Sequence, residues 1–275
     1  MAQLKQPQQR LCTSALVLAI LLSGCAHRPA NSAPVNILDV AVAWKQTAAE
    51  YEALYYQAYN LARMQLQGAL DRRQPGEPTL AVILDMDDTI LDTRDYWAQL
   101  LKADQDFFDD QRWDAWIPQN RVQAAPGALD FLQFCAANQV EVFYVTSRNQ
   151  GDATYQYALD HLIENGFPNA DTDHLTVLTD SSNKQIRQAE IASSHNVVLL
   201  MGDNLNDFSR AYYVDGVAAR KALMQLDRDL FGSRYILLPN PTDGHWVRAI
   251  FGDSEPLPSN DNRHQWHDAA TGNQP

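Results

Sequence analysis

The sequence predicts an α/β fold in which a parallel sheet carries helices on both faces. Between residues 80 and 238, short apolar segments typical of buried strands alternate with amphipathic segments of helical period. Three of the apolar segments run directly into polar clusters, which begin at Asp85, Thr146 and Asp203. Because the carboxyl ends of parallel strands meet at one edge of a sheet, we expect these clusters to converge there and form a ligand site.

The order of the elements follows from apolar period and from chain breakers. A long helix is predicted over 39–72, where apolar side chains recur at three- and four-residue steps until the breaker cluster 74–78. Its tyrosines are interpreted as core packing rather than as a binding surface: Tyr51, Tyr55, Tyr56 and Tyr59. Strands are predicted at 80–84, 140–145, 174–178, 196–201 and, in shorter form, 235–238. Helices are predicted between them, at 126–138, 153–164 and 181–193.

We assign residues 39–253 to one domain that has a core and a small, mainly helical cap. The core comprises about 78–91 and 126–250, and the cap comprises about 39–75 and 92–125. The second cap segment is rich in aromatic residues, lacks strand alternation and directly follows the first polar cluster, which is where a lid would begin. The polar residues 254–275 are expected to form a disordered tail.

The first 24 residues have the organisation of a secretory signal peptide. Lys5 and Arg10 precede an apolar stretch over 11–22, which is too short to span a bilayer as a stable anchor. The stretch ends in Leu-Ser-Gly-Cys, which matches the bacterial lipobox pattern. The resemblance implies cleavage before Cys25 and lipidation of its thiol. The alternative is an ordinary signal peptide with a chance cysteine.

Lipidation at Cys25 implies a membrane location. Two acyl chains suffice for stable anchoring, so the domain is expected to be held by lipid, with residues 25–38 as a tether. Ala26 follows the cysteine where an Asp would indicate retention at the inner membrane. The expected location is therefore the outer membrane of a Gram-negative bacterium. The sequence does not decide which face of that membrane the domain occupies, and a homodimer is left open.

Composition and motif spacing exclude several function classes. A formal net charge of −13 argues against a basic surface that would bind a nucleic acid polymer. Cys135 lies in an apolar segment and is interpreted as a buried structural thiol. A Cys-x5-Arg phosphatase loop fails because Glu141 stands where Arg is required. A calcium loop beginning at Asp85 fails because Ile90 stands where the EF-hand requires Gly.

The paired carboxylates at the end of the first strand indicate acid–base or metal chemistry. Asp85 and Asp87 are two residues apart, so a turn can aim both at one point, where they can share a cation or a proton. Lys184 lies at a predicted helix start, where it is either a solvated lysine or a source of positive charge in an acidic site. For Arg148, solvent exposure, an ion pair and a phosphate contact are comparable alternatives.

Taken together, these motifs resemble the haloacid dehalogenase superfamily. The pattern consists of Asp-x-Asp-x-Thr at 85–89, Thr146 after a second strand, Lys184, and Gly-Asp-Asn-x-x-Asp at 202–207. Residues 82–96 and 202–208 resemble the two signatures of class C bacterial acid phosphatases. Residues 49–60 and 143–148 are similar to the lipoprotein e family of 5′-nucleotidases within that class. Asp88 departs from the pattern, since class C members usually carry Glu there.

The resemblance implies a haloacid dehalogenase-like fold and a reaction through an aspartyl phosphate. Asp85 would be the nucleophile, and Asp87 the general acid and base. Thr146 and Lys184 would donate hydrogen bonds to the oxygens of the phosphoryl group, where charge shifts during transfer.

The resemblance also implies one divalent cation, and Mg²⁺ suits a site of oxygen ligands. Asp85 would give a carboxylate oxygen to the metal, Asp87 its backbone carbonyl, and Asp203 a third ligand. Asp207 would hold Asp203 in place or bind a metal-bound water.

The expected substrate is a small phosphomonoester, with nucleoside 5′-monophosphates or nicotinamide mononucleotide as the leading candidates. In lipoprotein e relatives aromatic side chains stack on the base, and Trp113 is the candidate here, with packing in the lid as the alternative. Asp243 stands where these relatives carry a second aromatic residue, so a broad acid phosphatase without nucleotide preference is an alternative. A non-catalytic surface-binding lipoprotein and a dehalogenase-like enzyme are further alternatives, and the second aspartate, Asp87, argues against both.

Overall fold

The computed structural model describes residues 36–273, and its centre is a parallel sheet. The strands are β1 (Leu80–Leu84), β2 (Leu91–Asp92), β3 (Gln123–Ala124), β4 (Glu141–Ser147), β5 (Leu175–Leu178), β6 (Asn196–Gly202) and β7 (Tyr235–Leu237). Five of them form the sheet in the order β5-β4-β1-β6-β7, and every neighbouring pair is parallel. The predicted fold class is confirmed.

Helices surround this sheet and connect its strands. They are α1 (Asp39–Thr47), α2 (Ala49–Arg72), α3 (Arg94–Lys102), α4 (Asp110–Trp116), α5 (Ala128–Ala137), α6 (Thr154–Glu164), α7 (Gln185–Ser194), α8 (Val217–Leu226), α9 (His245–Phe251) and α10 (Asn260–Thr271). The crossover helices α5, α6 and α7 lie where the sequence predicts them. Helices α8 and α9 were not predicted.

The strands are apolar on both sides because helices cover both faces of the sheet. One side of β1 presents Leu80, Val82 and Leu84 to a core that contains buried residues of α2, α5 and α6. The other side presents Ala81 and Ile83 to a smaller cluster that contains Ile191 of α7. A segment apolar at every position therefore marks a strand in the middle layer of three.

The N-terminal helical region is divided differently from the prediction. The single helix predicted over 39–72 is interrupted at Ala48, whose backbone is extended, so that α1 and α2 are separate helices. Helix α1 contacts α3, whereas α2 packs against α5, β6 and β7. Periodic apolar residues show that one helix face is buried but not what covers it, and α2 belongs to the core rather than to the cap.

The segment that follows β1 forms an insertion above the sheet. It contains α3, α4 and a 3-10 turn at Ile117–Gln119, in agreement with the predicted short helices and loops. Strands β2 and β3 pair antiparallel at its base, with Leu91 opposite Ala124 and Asp92 opposite Gln123. The chain therefore leaves and re-enters the core through two neighbouring strands.

The expectation of a disordered tail over 254–275 is wrong for the part that forms α10. Ser259 caps this helix by accepting a hydrogen bond from the backbone NH of Asn262 at 3.0 Å. Trp266 packs against Trp246 and Phe251, with ring centroids 5.2 and 5.0 Å apart. Composition predicted disorder because the segment is polar, but these aromatic contacts hold the helix to α9.

The predicted signal peptide, Cys25 and most of the tether lie outside the described residues. Within residues 36–273, none of the helices has both the length and the apolar character that crossing a membrane requires.

Candidate active site

The carboxyl ends of the sheet strands bring most of the predicted site residues to one edge. Asp85 follows β1, Thr146 lies near the end of β4, and Asp203 follows β6. Lys184 reaches the same edge from the start of α7, and a carboxylate oxygen from each of Asp85, Asp203 and Asp207 lies within 4.8 Å of the others. These side chains line a cavity of about 420 Å³. A parallel sheet therefore assembles groups that are up to 122 residues apart in the chain.

Lys184 bridges two of the carboxylates. Its ammonium group is bonded to Asp85 and lies 2.7 Å from Asp207, and the lysine is only 7% exposed. Burial alone would lower the pKa of Lys184, but the two carboxylates outweigh it and raise the pKa, so the side chain stays charged. Lys184 thus supplies the positive charge that the acidic sequence lacked. The alternative of a solvated helix-start lysine is excluded.

The negative charge around Asp85 exceeds what the single positive charge of Lys184 neutralises. Burial, opposed by Lys184 and reinforced by Asp207 and Asp87, raises the pKa of Asp85 to about 7. Burial and the carboxylates of Asp207 and Asp85 raise the pKa of Asp203 well above its usual range. Asp203 accepts one hydrogen bond at 2.8 Å from the Asn240 amide, and it has no cationic partner among residues 36–273. An additional cation at this edge of the sheet would offset the negative charge that Lys184 leaves unbalanced.

Asp207 organises the loop after β6. One of its oxygens accepts the bond from Lys184, and the other accepts a bond from the backbone NH of Asn204 at 2.9 Å. The Asn204 side chain in turn caps the 3-10 turn Leu205–Asp207. Gly202 is required here because a Cβ at this position would lie 2.2 Å from Asp207 Oδ2. The geometry favours the predicted supporting role for Asp207, although its carboxylate also lies within reach of a shared cation.

Asp88, which departs from the sequence pattern of class C members, is the centre of a buried network. Lys45 of α1 donates to both of its oxygens at 2.8 and 2.9 Å. The Thr93 hydroxyl donates to Asp88 at 2.7 Å, and Asn240 donates to it at 3.0 Å. Because the same Asn240 amide also donates to Asp203, the network connects α1 to the predicted metal ligand. Lys45 and Asn240 were not predicted as site residues. The position of Asn240 just after β7 was the available signal.

Two tyrosines of α2 fix the turn that carries these aspartates. Tyr55 donates to the backbone carbonyl of Asp88 at 2.6 Å, and Tyr59 donates to that of Thr89 at 2.7 Å. Both tyrosines are buried, whereas Tyr56 is 49% exposed. The interpretation as core packing is correct for Tyr51, Tyr55 and Tyr59. The first of these packs edge-on against the second, with centroids 4.9 Å apart.

Arg148 contacts a carboxylate in the structure. Its guanidinium forms a bidentate ion pair with the Asp87 carboxylate, with Nε 2.7 Å from Oδ2 and Nη2 2.5 Å from Oδ1. The third guanidinium nitrogen lies 3.0 Å from Nδ1 of His161. Of the three alternatives considered for Arg148, the ion pair is the one present. Contact with substrate stays a prediction.

Comparison with known proteins agrees with this geometry. A family model described as "HAD superfamily, subfamily IIIB (Acid phosphatase)" matches residues 21–246. The chain belongs to this family. The class C acid phosphatase from Bacillus anthracis is 29% identical over 83% of this chain and 94% of that chain, with a TM-score of 0.77. A structure of the Bacillus anthracis enzyme with tungstate bound gives 30% identity, the same coverage and a TM-score of 0.75.

In this acid phosphatase, the sheet edge that carries the aspartates faces a cavity that residues of the insertion also line. Trp113 of α4 and Phe108 line this cavity together with the aspartates. Trp113 also packs edge-on against Tyr96, with ring centroids 4.9 Å apart. The same side chain therefore packs within the insertion and lines the cavity. Asp243 lines the same cavity, and burial raises its pKa to about 6. A negative or protonated carboxyl group therefore lies where nucleotidase relatives were expected to carry an aromatic ring.

The carboxylate set fits a divalent cation. Asp88 is paired with Lys45, Asp87 with Arg148, and Asp85 and Asp207 share Lys184. Among the described residues, Asp203 has only the Asn240 side-chain amide as a partner. The site therefore contains five carboxylates and three cationic groups. Asp85, Asp203 and Asp207 each bring one carboxylate oxygen to within 4.8 Å of the others, and together they could hold a hard metal ion. The haloacid dehalogenase superfamily typically uses such a cation.

Proposed function

We propose that this acid phosphatase is Mg²⁺-dependent and that its nucleophile is Asp85. The observation that carries the proposal is the convergence of Asp85, Lys184 and the Asp203–Asp207 loop at the edge of the sheet. Asp85, Asp203 and Asp207 would hold the cation together with the backbone carbonyl of Asp87. When bound, the cation would neutralise charge on the phosphoryl group and so permit attack by a carboxylate.

In the proposed reaction, the carboxylate oxygen of Asp85 attacks phosphorus and the bond from phosphorus to the leaving oxygen breaks. Asp87 gives its proton to that oxygen, which leaves as an alcohol. Water then attacks the aspartyl phosphate, and Asp87 takes the proton from this water as phosphate is released. Thr146 and Lys184 line the cavity where they can donate to the phosphoryl oxygens.

The test of this chemistry is a comparison of Asp85→Asn with the wild type. We expect Asp85→Asn to retain the fold and to lose nearly all hydrolysis of p-nitrophenyl phosphate near pH 5–6, about where one member of a carboxylate pair stays protonated. EDTA is expected to abolish the wild-type activity and added Mg²⁺ to restore it. Wild-type activity in Asp85→Asn would contradict the role of this residue, and activity that survives EDTA would contradict the role of the metal.

We further propose that the substrates are small phosphomonoesters, with nucleoside 5′-monophosphates or nicotinamide mononucleotide leading. Trp113 at the cavity wall supports this proposal because an aromatic face can stack on a base. Asp243 favours the alternative, a phosphatase of broad specificity, because a carboxyl group cannot stack. A panel of nucleotides, sugar phosphates and aryl phosphates distinguishes the two. A preference for nucleotides that disappears in Trp113→Ala supports nucleotidase function, and equal rates on all three classes support broad specificity.

We propose that the mature chain is attached to the outer membrane through lipid on Cys25. The lipobox sequence supports this proposal. Expression with radiolabelled palmitate is expected to label the wild type but not Cys25→Ala, and fractionation is expected to release the variant from the membrane. Label that persists in Cys25→Ala would refute the assignment.

A further inference from the structure

Arg148 is a buried cation whose three guanidinium nitrogens all have partners. Two of them hold the Asp87 carboxylate from one side, at 2.7 and 2.5 Å. The third meets Nδ1 of His161 at 3.0 Å. The Arg148 side chain has no exposed surface, whereas that of Asp87 is 21% exposed and lines the cavity. Arg148 therefore holds Asp87 from the protein side and leaves its other side open to a substrate.

His161 of α6 is held in one protonation state and one tautomer. It is 1% exposed, and burial together with the charge of Arg148 lowers its pKa to about 4, so the ring is neutral. A guanidinium has only donors, which means that Nδ1 accepts from Arg148. The proton is then on Nε2, which donates to the backbone carbonyl of Ile117 at 3.2 Å. Since Ile117 begins the 3-10 turn of the insertion, His161 connects the insertion to Arg148.

We propose that His161 is a positioning residue for the general acid, acting through Arg148 on Asp87. The inference rests on the proposed role of Asp87 and extends it to residues outside the catalytic set. A proton is transferred only within hydrogen-bond reach, and a misplacement of about 1 Å can cost roughly 100-fold in rate. The bond to Ile117 makes the position of Asp87 depend on the insertion that roofs the cavity.

The charge of Arg148 also suits the step that it supports. As the bond between phosphorus and the leaving oxygen breaks, its electron pair goes to that oxygen, which takes the proton from Asp87. Asp87 is ionised in the pair that the structure shows, so it must first take a proton on the side that is open to the cavity. When it gives that proton to the leaving oxygen, Arg148 already lies against the carboxylate that forms again and stabilises its charge. His161 cannot replace Arg148 in this role because its ring is neutral, and so its contribution is orientation.

Two substitutions separate the bonds that His161 makes. In His161→Asn the side-chain oxygen can occupy the position of Nδ1 and still accept from Arg148, while the bond to Ile117 is lost. In His161→Gln the amide nitrogen can occupy the position of Nε2 and still donate to Ile117, while the acceptor for Arg148 is lost. The proposal expects the second variant to be the more damaging one.

The measurement is kcat/KM on phenyl phosphate and on p-nitrophenyl phosphate. This parameter covers the steps up to departure of the leaving group, and phenol needs a general acid more than p-nitrophenol does. We expect His161→Gln to lose about 10-fold more on phenyl phosphate than on p-nitrophenyl phosphate, a fraction of the effect of the acid itself. His161→Asn is expected to retain a ratio of the two values within about threefold of wild type. An equal loss on both substrates would overturn the proposal, as would no loss on either.

Controls separate this proposal from the proposed function. Asp87→Asn should show the full leaving-group effect; if it does not, the role of Asp87 fails before that of His161 is reached. His174→Gln makes the same substitution at a histidine paired with Glu141 at 2.5 Å outside the cavity, and we expect no change in the ratio. Thermal unfolding shows whether each variant is folded. If His161→Gln is unfolded, Arg148→Lys provides the same comparison, because a single ammonium cannot replace the fork that meets both Asp87 and His161.

Discussion

Lys45 is the side chain whose removal has the most predictable energetic consequence. It lies on α1, has no exposed side-chain surface, and pairs with Asp88, whose side chain is 5% exposed. In Lys45→Met the apolar stem is retained, but Asp88 remains as a buried carboxylate without a cation. Loss of one partner from a buried pair typically costs about 3–5 kcal/mol because the remaining charge stays away from water.

The structure places the expected cost at the lower end of this range. Thr93 and Asn240 still donate to Asp88 in the variant, at 2.7 and 3.0 Å, and partly compensate the charge. Thr242 loses the 3.1 Å bond that it accepts from Lys45. We therefore expect the free energy of unfolding to fall by about 3 kcal/mol. In a domain of this size about 1 kcal/mol shifts Tm by about 2–4 °C, so the expected decrease in Tm is about 6–12 °C.

Urea and thermal unfolding at pH 7 measure this loss. The double variant Lys45→Met/Asp88→Asn removes both charges, and Asn tolerates the positive φ of 50° at this position, so it should recover more than half of the lost stability. Lys102→Met is the control, since Lys102 is exposed on α3 and its replacement should change stability by less than about 0.5 kcal/mol. A loss below about 1 kcal/mol in Lys45→Met, or a double variant less stable than the single one, would refute the reasoning.

Three further predictions concern the β6 loop, the cavity and α10. Gly202→Ala places a Cβ 2.2 Å from Asp207, so we expect stability to fall by about 1–3 kcal/mol in urea unfolding and the phosphatase rate to fall with it. Burial raises the pKa of Asp243 to about 6, so folding binds a proton there and stability is lost as pH rises from about 4 to 6. Asp243→Asn should therefore raise Tm at pH 7.5 more than at pH 4.5. Trp266→Ala removes contacts to Trp246 and Phe251, and limited proteolysis should then cleave between α9 and α10.

The features that sequence predicted correctly are those in which a short segment carries its own signal. The apolar run Leu80–Leu84 specifies a buried strand, and the abrupt change at Asp85 marks its end. The same combination recurs at Thr146 and at Asp203. Topology then converts three local signals into one site, because the ends of neighbouring parallel strands are adjacent in space. Knowledge of the exact register was not needed for that inference.

The supporting contacts could not be predicted because they join distant segments without a pattern of their own. Lys45 and Asp88 are 43 residues apart, and Lys45 and Thr242 are 197 apart. A lysine in an amphipathic helix normally projects into solvent, and nothing in the sequence around Lys45 distinguishes a buried one. His161 likewise lies in an ordinary crossover helix. The proposed role of His161 can be inferred only from its contacts with Arg148 and with the Ile117 carbonyl.

The polar C-terminal helix shows a further difficulty. By its composition, α10 has too little apolar surface to fold, and this is correct for the isolated segment. Trp266 is sufficient in place because α9 already presents Trp246 and Phe251 to it. Arg263 adds a contact to Asp106 in the insertion. Whether such a segment is ordered therefore depends on the surface against which it packs.

The antiparallel pair of β2 and β3 makes the insertion an exchangeable module. Because Asp92 and Gln123 are opposite each other, the two ends of the intervening chain are already adjacent and belong to the core. Doubling the length of a flexible segment between fixed ends costs only about 0.6 kcal/mol of closure entropy. Replacement of residues 93–122 by the corresponding segment of a relative should thus leave the aspartates in register. Substrate range in this family can therefore diversify through that one segment, and the chemistry stays constant where the new segment again offers a backbone carbonyl to His161 and a hydrogen-bond donor to Asp88.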